Sequence, residues 1–237
     1  MILFMFPYAG GSSSSFRSWL PYLSPRVRAV PLDIPGKRRA YPSGPSDMSI
    51  PEMARHVIAA IDPSIIRGEP FAFLGYSMGA LLAFETAKQL SSLLVPRPPT
   101  YLFVCASSAP GLDRELIHML DDKAFDNALK KYGGTSAEVI ENEELMELVR
   151  PALRRDIKAC EVYEVAAGFL LECPIDALGG ADDADVPEKD LRAWSRFTTR
   201  FGQVQTFPGG HFFMEGRESE VSHYVISRLI SVGLIDE

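Results

Sequence analysis

Short segments that are apolar at every position recur along the chain, with helix-like segments between them. Residues 2–6, 71–74 and 101–106 contain no polar side chain that would mark an exposed face. A half-exposed strand alternates apolar and polar residues, whereas a strand covered on both faces does not. The pattern therefore predicts the α/β class, with a mostly parallel central sheet and helices on both of its faces.

Further segments extend this alternation over the whole chain. Residues 27–32, 175–178 and 204–207 are additional strand candidates, and residues 79–90 read as a helix rich in Ala and Leu. Apolar residues at helical spacing between Ile50 and Ile61 predict another helix, with Ser49 as its N-cap. Residues from about 113 to 170 are helical in pattern and contain no strand candidate. We expect one domain over residues 1–237, with this segment as a helical lid.

Composition excludes several classes of protein. At 237 residues, 46% hydrophobic and 23% charged, the chain has the composition of a soluble globular domain. The net charge of −7 argues against a nucleic-acid binder, and no apolar run is long enough for a membrane span. Cys105, Cys160 and Cys173 lack the spacing of a disulfide framework or zinc site, so the reducing cytoplasm is the expected compartment. The sequence does not fix the oligomeric state, and a monomer is the default expectation.

A serine between two glycines stands where a predicted strand meets a predicted helix. Gly75-Tyr76-Ser77-Met78-Gly79 follows residues 71–74 directly and precedes the helix of residues 79–90. This is the arrangement of a nucleophile elbow, in which glycines make room for a sharp turn that exposes the serine. The alternative is a turn with Ser77 as a helix cap. If Ser77 is a nucleophile, the Met78 N–H is one expected donor to the oxyanion.

A nucleophilic serine needs a base, and the chain has four histidines. His56 and His223 lie within helical patterns, where we expect exposed side chains. His118 falls in the lid segment and is also expected to be exposed or mobile. His211 follows the last strand candidate after Pro208-Gly209-Gly210, at the sheet edge where α/β proteins place their chemistry. We therefore predict His211 as the base.

The third member of such a triad is an acid between the serine and the histidine in chain order. Asp182, Asp183 and Asp185 all follow the strand of residues 175–178. Spacing disfavours Asp185, because Val186-Pro187 begins the next element, but it leaves Asp182 and Asp183 open. The second oxyanion donor is expected in the loop of residues 7–11, where paired glycines let the backbone approach a substrate.

These motifs together resemble the type II thioesterases of polyketide and nonribosomal peptide pathways, in the α/β-hydrolase superfamily. The resemblance covers nearly the whole chain and rests on residues 6–12, 32–36, 75–80, 180–183, Trp194 and 207–213. The family pattern G-x-x-D-x-x-V selects Asp183 as the acid, and the first motif selects Ala9 as the second oxyanion donor. Tyr8, where the family commonly has His, and Phe212 are expected to bind substrate.

The resemblance implies hydrolysis of acyl groups from the phosphopantetheine arm of an acyl or peptidyl carrier protein. It implies no metal and no bound cofactor. Two basic runs, Lys37-Arg38-Arg39 and Arg154-Arg155, are candidate contacts to an acidic carrier protein, with solvated faces as the alternative. Six lid residues are candidates either for an acyl cavity or for packing between lid helices: Phe125, Leu129, Tyr132, Leu145, Met146 and Leu148.

Three other functions fit the same motifs. A small-molecule carboxylesterase or lipase would use the same triad on oxygen esters, without a carrier protein. An acyltransferase or cyclising thioesterase would transfer the acyl group to an amine or alcohol instead of water. A catalytically silent α/β-hydrolase fold would serve as a binding scaffold, and its Ser77 would resist serine-directed reagents.

Overall fold

Six strands form a single parallel sheet in the order β2-β1-β3-β4-β5-β6. The computed structural model describes residues 1–23, 25–34, 48–61, 68–92, 98–135 and 137–236. The strands are β1 Ile2–Phe6, β2 Arg28–Pro31, β3 Phe71–Tyr76, β4 Tyr101–Cys105, β5 Ile175–Gly180 and β6 Phe201–Phe207. All the described strand pairs are parallel, which confirms the predicted α/β fold class.

The strand register brings several carboxyl ends to the same edge of the sheet. Phe6 of β1 lies beside Gly75 of β3, and Tyr76 lies beside Cys105 of β4. Because the connections reverse direction between β1 and β3, a crevice is expected above these two strands. The serine elbow follows β3 directly, so the register places it at this crevice.

Helices cover both faces of the sheet, as the unbroken apolar strands predicted. The α-helices named within the described ranges are α1 Ile50–Ala60, α2 Met78–Ser92, α3 Asp122–Tyr132, α4 Ala137–Ile140, α5 Glu143–Glu161, α6 Glu188–Arg192 and α7 Glu218–Ser231. Phe4 of β1 packs in the same core cluster as α1 and α2. Its neighbours Leu3 and Met5 face the opposite cluster, with α7 and the 3-10 helix Ser13–Tyr22.

The first α-helix begins where its sequence predicts. The Glu52 carboxylate accepts hydrogen bonds from the Ser49 N–H at 2.9 Å and the Ser49 hydroxyl at 2.7 Å. These bonds satisfy a backbone donor that the helix itself leaves unpaired, which is the function of a capping box. They also lower the pKa of Glu52, because they stabilise its charged form.

The described residues between β4 and β5 form helices that are joined by turns and loops. This segment contains the 3-10 helix Ile117–Met119 and the helices α3, α4 and α5, and its described part has no named strand. Phe125, Leu129 and Met146 are buried and pack together in a core of their own. Leu145 and Leu148 are 37% and 76% exposed and are not part of this core. The choice between cavity lining and packing stays a prediction for them.

Neither a membrane span nor a metal-binding cluster occurs in the ranges that the structure describes. No helix there is long and apolar enough to cross a membrane. No group of three or more His, Cys, Asp and Glu side chains there could hold a metal ion. Cys105 and Cys173 are buried thiols, and burial raises the pKa of Cys173 to about 12.

Candidate active site

The turn between β3 and α2 holds Ser77 in a left-handed backbone conformation, with a φ of +52°. The glycines around it are required by close backbone contacts. A Cβ at Gly75 would lie 2.2 Å from the Gly79 carbonyl oxygen, and a Cβ at Gly79 would lie 2.1 Å from the Phe6 carbonyl oxygen. The Ser77 N–H donates to the Cys105 carbonyl at 2.8 Å, which fixes the turn on β4. The helix-cap alternative does not account for these constraints.

The His211 ring lies between Ser77 and an aspartate. Its Nε2 is 3.0 Å from the Ser77 Oγ, and its Nδ1 is 2.9 Å from the Asp183 Oδ2. The ring is buried, and the backbone behind it is held by a 2.6 Å hydrogen bond from the Tyr76 hydroxyl to the His211 carbonyl. The structure therefore brings together the three side chains that the motifs predicted, across 134 residues of sequence.

The turn after β5 distinguishes among the three candidate aspartates. The second carboxylate oxygen of Asp183, Oδ1, accepts hydrogen bonds from the Asp185 and Val186 N–H groups at 3.0 and 3.1 Å, so its orientation is fixed. Asp182 and Asp185 are exposed, and Asp182 instead accepts a hydrogen bond from the Gly209 N–H at 3.3 Å. Spacing alone left Asp182 and Asp183 open, whereas the geometry favours Asp183.

Two backbone N–H groups on the elements around the serine have no acceptor among the described contacts. They belong to Ala9 and Met78, the residues that the resemblance and the elbow motif selected. The Ser77 N–H is already used by the Cys105 carbonyl, so it cannot stabilise a developing oxyanion. The contact of Gly79 with the end of β1 brings α2 and the loop after β1 together. This arrangement suits an oxyanion hole.

Aromatic rings surround His211. Tyr8 packs edge-on against Phe212 with ring centroids 4.9 Å apart, and Phe212 packs against His211 at 5.4 Å. Tyr132, which the sequence indicated only as a lid residue, packs edge-on against His211 at 5.0 Å. Burial raises the pKa of the Tyr132 hydroxyl, so this ring stays neutral at physiological pH. No sequence signal other than its place in the lid pointed to Tyr132.

One prediction about the lid segment is wrong. His118 is not exposed: its side chain is 14% accessible and pairs with Glu161 at the end of α5. The Arg154 guanidinium donates to the His118 and Leu120 carbonyls and lies 4.1 Å from the Phe125 ring centroid, while its side chain is still 24% accessible. Its role as a carrier contact stays a prediction. Arg155 is exposed and remains a candidate contact, whereas Lys37-Arg38-Arg39 lies outside the described residues.

Comparison with known proteins decides the family. A family model described as a thioesterase domain matches residues 1–229 of the chain. The chain belongs to the thioesterase family. The resemblance drawn from its motifs is thereby confirmed, and the protein is a hydrolase that acts on thioesters.

Individual relatives of this thioesterase come from biosynthetic pathways. Thioesterase PikA5 of Streptomyces venezuelae is 38% identical, over 94% of this chain and 79% of its own length. Two solved structures cover this thioesterase closely. RedJ, from the prodiginine pathway of Streptomyces coelicolor, has a TM-score of 0.83 and 32% identity, over 94% of this chain and 89% of its own. YbtT, a type II thioesterase from the yersiniabactin NRPS/PKS pathway, has a TM-score of 0.80 and 30% identity, over 95% of this chain and 91% of its own.

Proposed function

We propose that this thioesterase is a type II enzyme that hydrolyses acyl groups from phosphopantetheine thioesters on carrier proteins. One observation carries the chemistry: the continuous hydrogen-bond chain from Ser77 through His211 to Asp183. The carrier substrate rests on the relatives and on the motifs. YbtT is a type II thioesterase from an NRPS/PKS pathway, and the resemblance to that class implies thioesters on carrier proteins.

The first half of the reaction forms an acyl-enzyme. His211 takes the Ser77 proton through Nε2 while the Ser77 Oγ attacks the thioester carbonyl carbon. The Asp183 carboxylate accepts a hydrogen bond from the His211 Nδ1–H. This bond keeps Nε2 available as the base and stabilises the imidazolium that forms. The C–S bond then breaks, and the pantetheine thiol leaves with the proton from His211.

The second half releases the acid. Water attacks the acyl-Ser77 carbonyl carbon while the His211 Nε2 takes a proton from that water. The bond between the carbonyl carbon and the Ser77 Oγ then breaks, and His211 returns the proton to the Ser77 Oγ. In both halves the negative charge on the carbonyl oxygen is held by the Ala9 and Met78 N–H groups. The steps need no metal or bound cofactor.

The helical segment of residues 113–170 serves as a lid in this proposal. Tyr132 of α3 lies against His211, so this segment forms part of the wall of the site. A lid in this position covers the acyl chain and excludes bulk water while the ester bond forms. Monomeric state and cytoplasmic location remain predictions from the sequence.

The test is a panel of acyl-loaded carrier proteins, with the wild-type enzyme compared with Ser77→Ala. We expect release of free acid from the carrier by the wild type and a loss of at least about 10³-fold in Ser77→Ala. Matched oxygen esters are the decisive control, and a strong preference for them would favour the carboxylesterase alternative.

Two further readouts separate the remaining alternatives. Mass spectrometry of the products distinguishes hydrolysis from transfer to an amine or alcohol. Labelling of Ser77 by a fluorophosphonate is expected, whereas a silent scaffold would remain unlabelled. An unlabelled, inactive protein with native folding would overturn the proposal.

A further inference from the structure

The lid helix α5 contacts the turn that carries Ala9. The Asp156 Oδ2 accepts a hydrogen bond from the Gly10 N–H at 2.9 Å, although the two residues are 146 positions apart. Asp156 is only 7% exposed, an unusual degree of burial for a carboxylate. One helical turn earlier, the Leu153 side chain lies 2.7 Å from where a Cβ of Gly10 would be. One face of α5 therefore packs against this turn.

The hydrogen bond from Gly10 involves the central peptide of the turn. The Gly11 N–H donates to the Tyr8 carbonyl at 2.9 Å, which closes a four-residue turn, and Gly10 has a φ of +78°. Two common forms of such a turn differ by a flip of the central peptide, and glycine at the third position permits both. The Gly10 N–H belongs to that central peptide, so its bond to Asp156 selects one form and opposes the flip.

The helix that presents Asp156 is itself tied to the serine elbow. Just after α5, the Tyr163 hydroxyl donates to the Glu85 carboxylate at 2.6 Å. Glu85 is buried in α2, the helix that begins at Met78. Both donors of the oxyanion hole are thus connected to one structural unit: Met78 through α2 itself, and Ala9 through Asp156 on a helix attached to α2.

We propose that Asp156 is a positioning residue that holds the Tyr8–Gly11 turn in one conformation against α5, so that the N–H of Ala9, the residue before Gly10, can stabilise the oxyanion. This inference rests on the proposed function. Asp156 acts through the backbone and does not touch the substrate. Its removal weakens stabilisation of the transition state without weakening binding of the ground state, since misplacement of a donor costs rate rather than affinity.

The test compares Asp156→Ala and Asp156→Asn on a small acyl-N-acetylcysteamine thioester, which avoids any contribution from carrier docking. For Asp156→Ala we expect kcat to fall by about 10- to 100-fold, with KM within about twofold. Asp156→Asn keeps an acceptor oxygen at the same place and should retain kcat within about threefold. If Asp156→Ala does not fold, Asp156→Ser is used in its place. The serine side chain is polar but too short to accept the hydrogen bond from the Gly10 N–H.

Inhibitor binding separates positioning from a general structural effect. An alkyl trifluoromethyl ketone forms a tetrahedral oxyanion on Ser77, whereas the matching trifluoromethyl carbinol cannot. Asp156→Ala should weaken binding of the ketone by about the factor lost in kcat, and should leave the affinity for the carbinol within about twofold of wild type. Equal weakening of both inhibitors, or a kcat within threefold of wild type, would overturn the inference.

Two controls complete the design. Asp126→Asn alters a lid carboxylate that accepts hydrogen bonds from Arg150 at 3.0 and 2.7 Å and does not reach the turn, so kcat should stay unchanged. An equal loss in Asp126→Asn would overturn the inference. If Ser77→Ala is inactive but Asp156→Ala keeps the wild-type kcat, this inference alone is overturned. If Ser77→Ala still hydrolyses the thioester, the proposed function is overturned as well.

Discussion

Ser77 occupies a backbone conformation that non-glycine residues seldom adopt, and Ala106, directly after β4, does the same with a φ of +48°. Each such conformation costs about 1 to 3 kcal/mol and persists only where surrounding contacts fix it. Here the two strained residues directly follow the neighbouring strands β3 and β4, and the Ser77 N–H donates to the Cys105 carbonyl just before Ala106. The strain is concentrated where the hydroxyl must project above the sheet.

The choice among the aspartates gives a prediction at the residue scale. Asp183→Asn should lower kcat on a small thioester by about 10²- to 10⁴-fold, because an amide neither holds the His211 tautomer nor stabilises the imidazolium. Asp182→Asn is the matched control and should stay within about threefold, since its carboxylate accepts only from the Gly209 backbone among the described contacts. A greater loss in Asp182→Asn than in Asp183→Asn would contradict the assignment.

At the scale of elements, a buried carboxylate joins the last three strands to α7. Asp176 of β5 is fully buried, and its oxygens accept hydrogen bonds from four donors. These are the Tyr101 hydroxyl, the Gln203 N–H, the Tyr224 hydroxyl and the Arg228 Nε, at 2.7 to 3.1 Å. A Cβ at residue 202 would lie 1.9 Å from the Asp176 Oδ1, which explains Gly202 in the edge strand β6.

Removal of the charge on Asp176 should destabilise the fold. We expect Asp176→Asn to lower the free energy of unfolding by about 2 to 4 kcal/mol, because it leaves the partly buried Arg228 without its counter-charge. Urea unfolding followed by circular dichroism measures the difference. The exposed pair of Glu188 and Arg192 provides the control, and Glu188→Gln should change stability by no more than about 0.5 kcal/mol. Equal effects of the two substitutions would contradict the expectation.

Elements with a strong local signal could be predicted from the sequence. The apolar runs gave β1, β3 and β4 to within two residues, and Ser49 marked the start of α1. β6 begins at Phe201 rather than 204, because an edge strand with exposed residues lacks the apolar run. The 3-10 helix Ser13–Tyr22 begins inside the serine run of residues 12–15, which carries no helical periodicity, so the sequence did not predict it.

The parts of the site that could not be predicted depend on tertiary contacts. Ser77 and His211 follow from chain order and local motifs. The packing of Tyr132 on His211 and the bond from Gly10 to Asp156 join segments far apart in sequence, and neither Tyr132 nor Asp156 stands in a motif. The pairing of His118 with Glu161 likewise depends on how α5 lies beside the 3-10 helix Ile117–Met119.

At the scale of the whole molecule, many ionisable groups are buried in their neutral form. Burial raises the pKa of several tyrosines and cysteines above their ordinary values: Tyr76, Tyr101, Tyr132, Tyr163, Tyr224, Cys105 and Cys173. A folded-state pKa above the unfolded value means that the stability is fully present below the unfolded pKa. It is lost as the pH rises from there towards the folded pKa.

Alkaline pH should therefore destabilise the protein before it ionises the native state. Unfolded cysteine and tyrosine titrate near about 8.5 and 10, so the free energy of unfolding should fall above about pH 9. Each group contributes up to about 1.4 kcal/mol per pH unit once its unfolded form titrates. Urea unfolding at pH 8 and pH 10.5 measures how the free energy of unfolding changes with pH. Absorbance at 295 nm should show tyrosinate forming at a higher pH in the folded protein than in the unfolded protein. An equal stability at both pH values would contradict this.

The parallel order of the strands has a consequence for the time at which activity first arises. Ser77 precedes His211 by 134 residues, and the strand that leads to His211 is the last of the described sheet. At synthesis rates of about 5 to 20 residues per second, the serine leaves the ribosome about 7 to 27 seconds before its base. During that interval Ser77 has no access to the His211 ring. A thioesterase built in this order cannot use the pair until the strand that leads to His211 has been made and has joined the sheet.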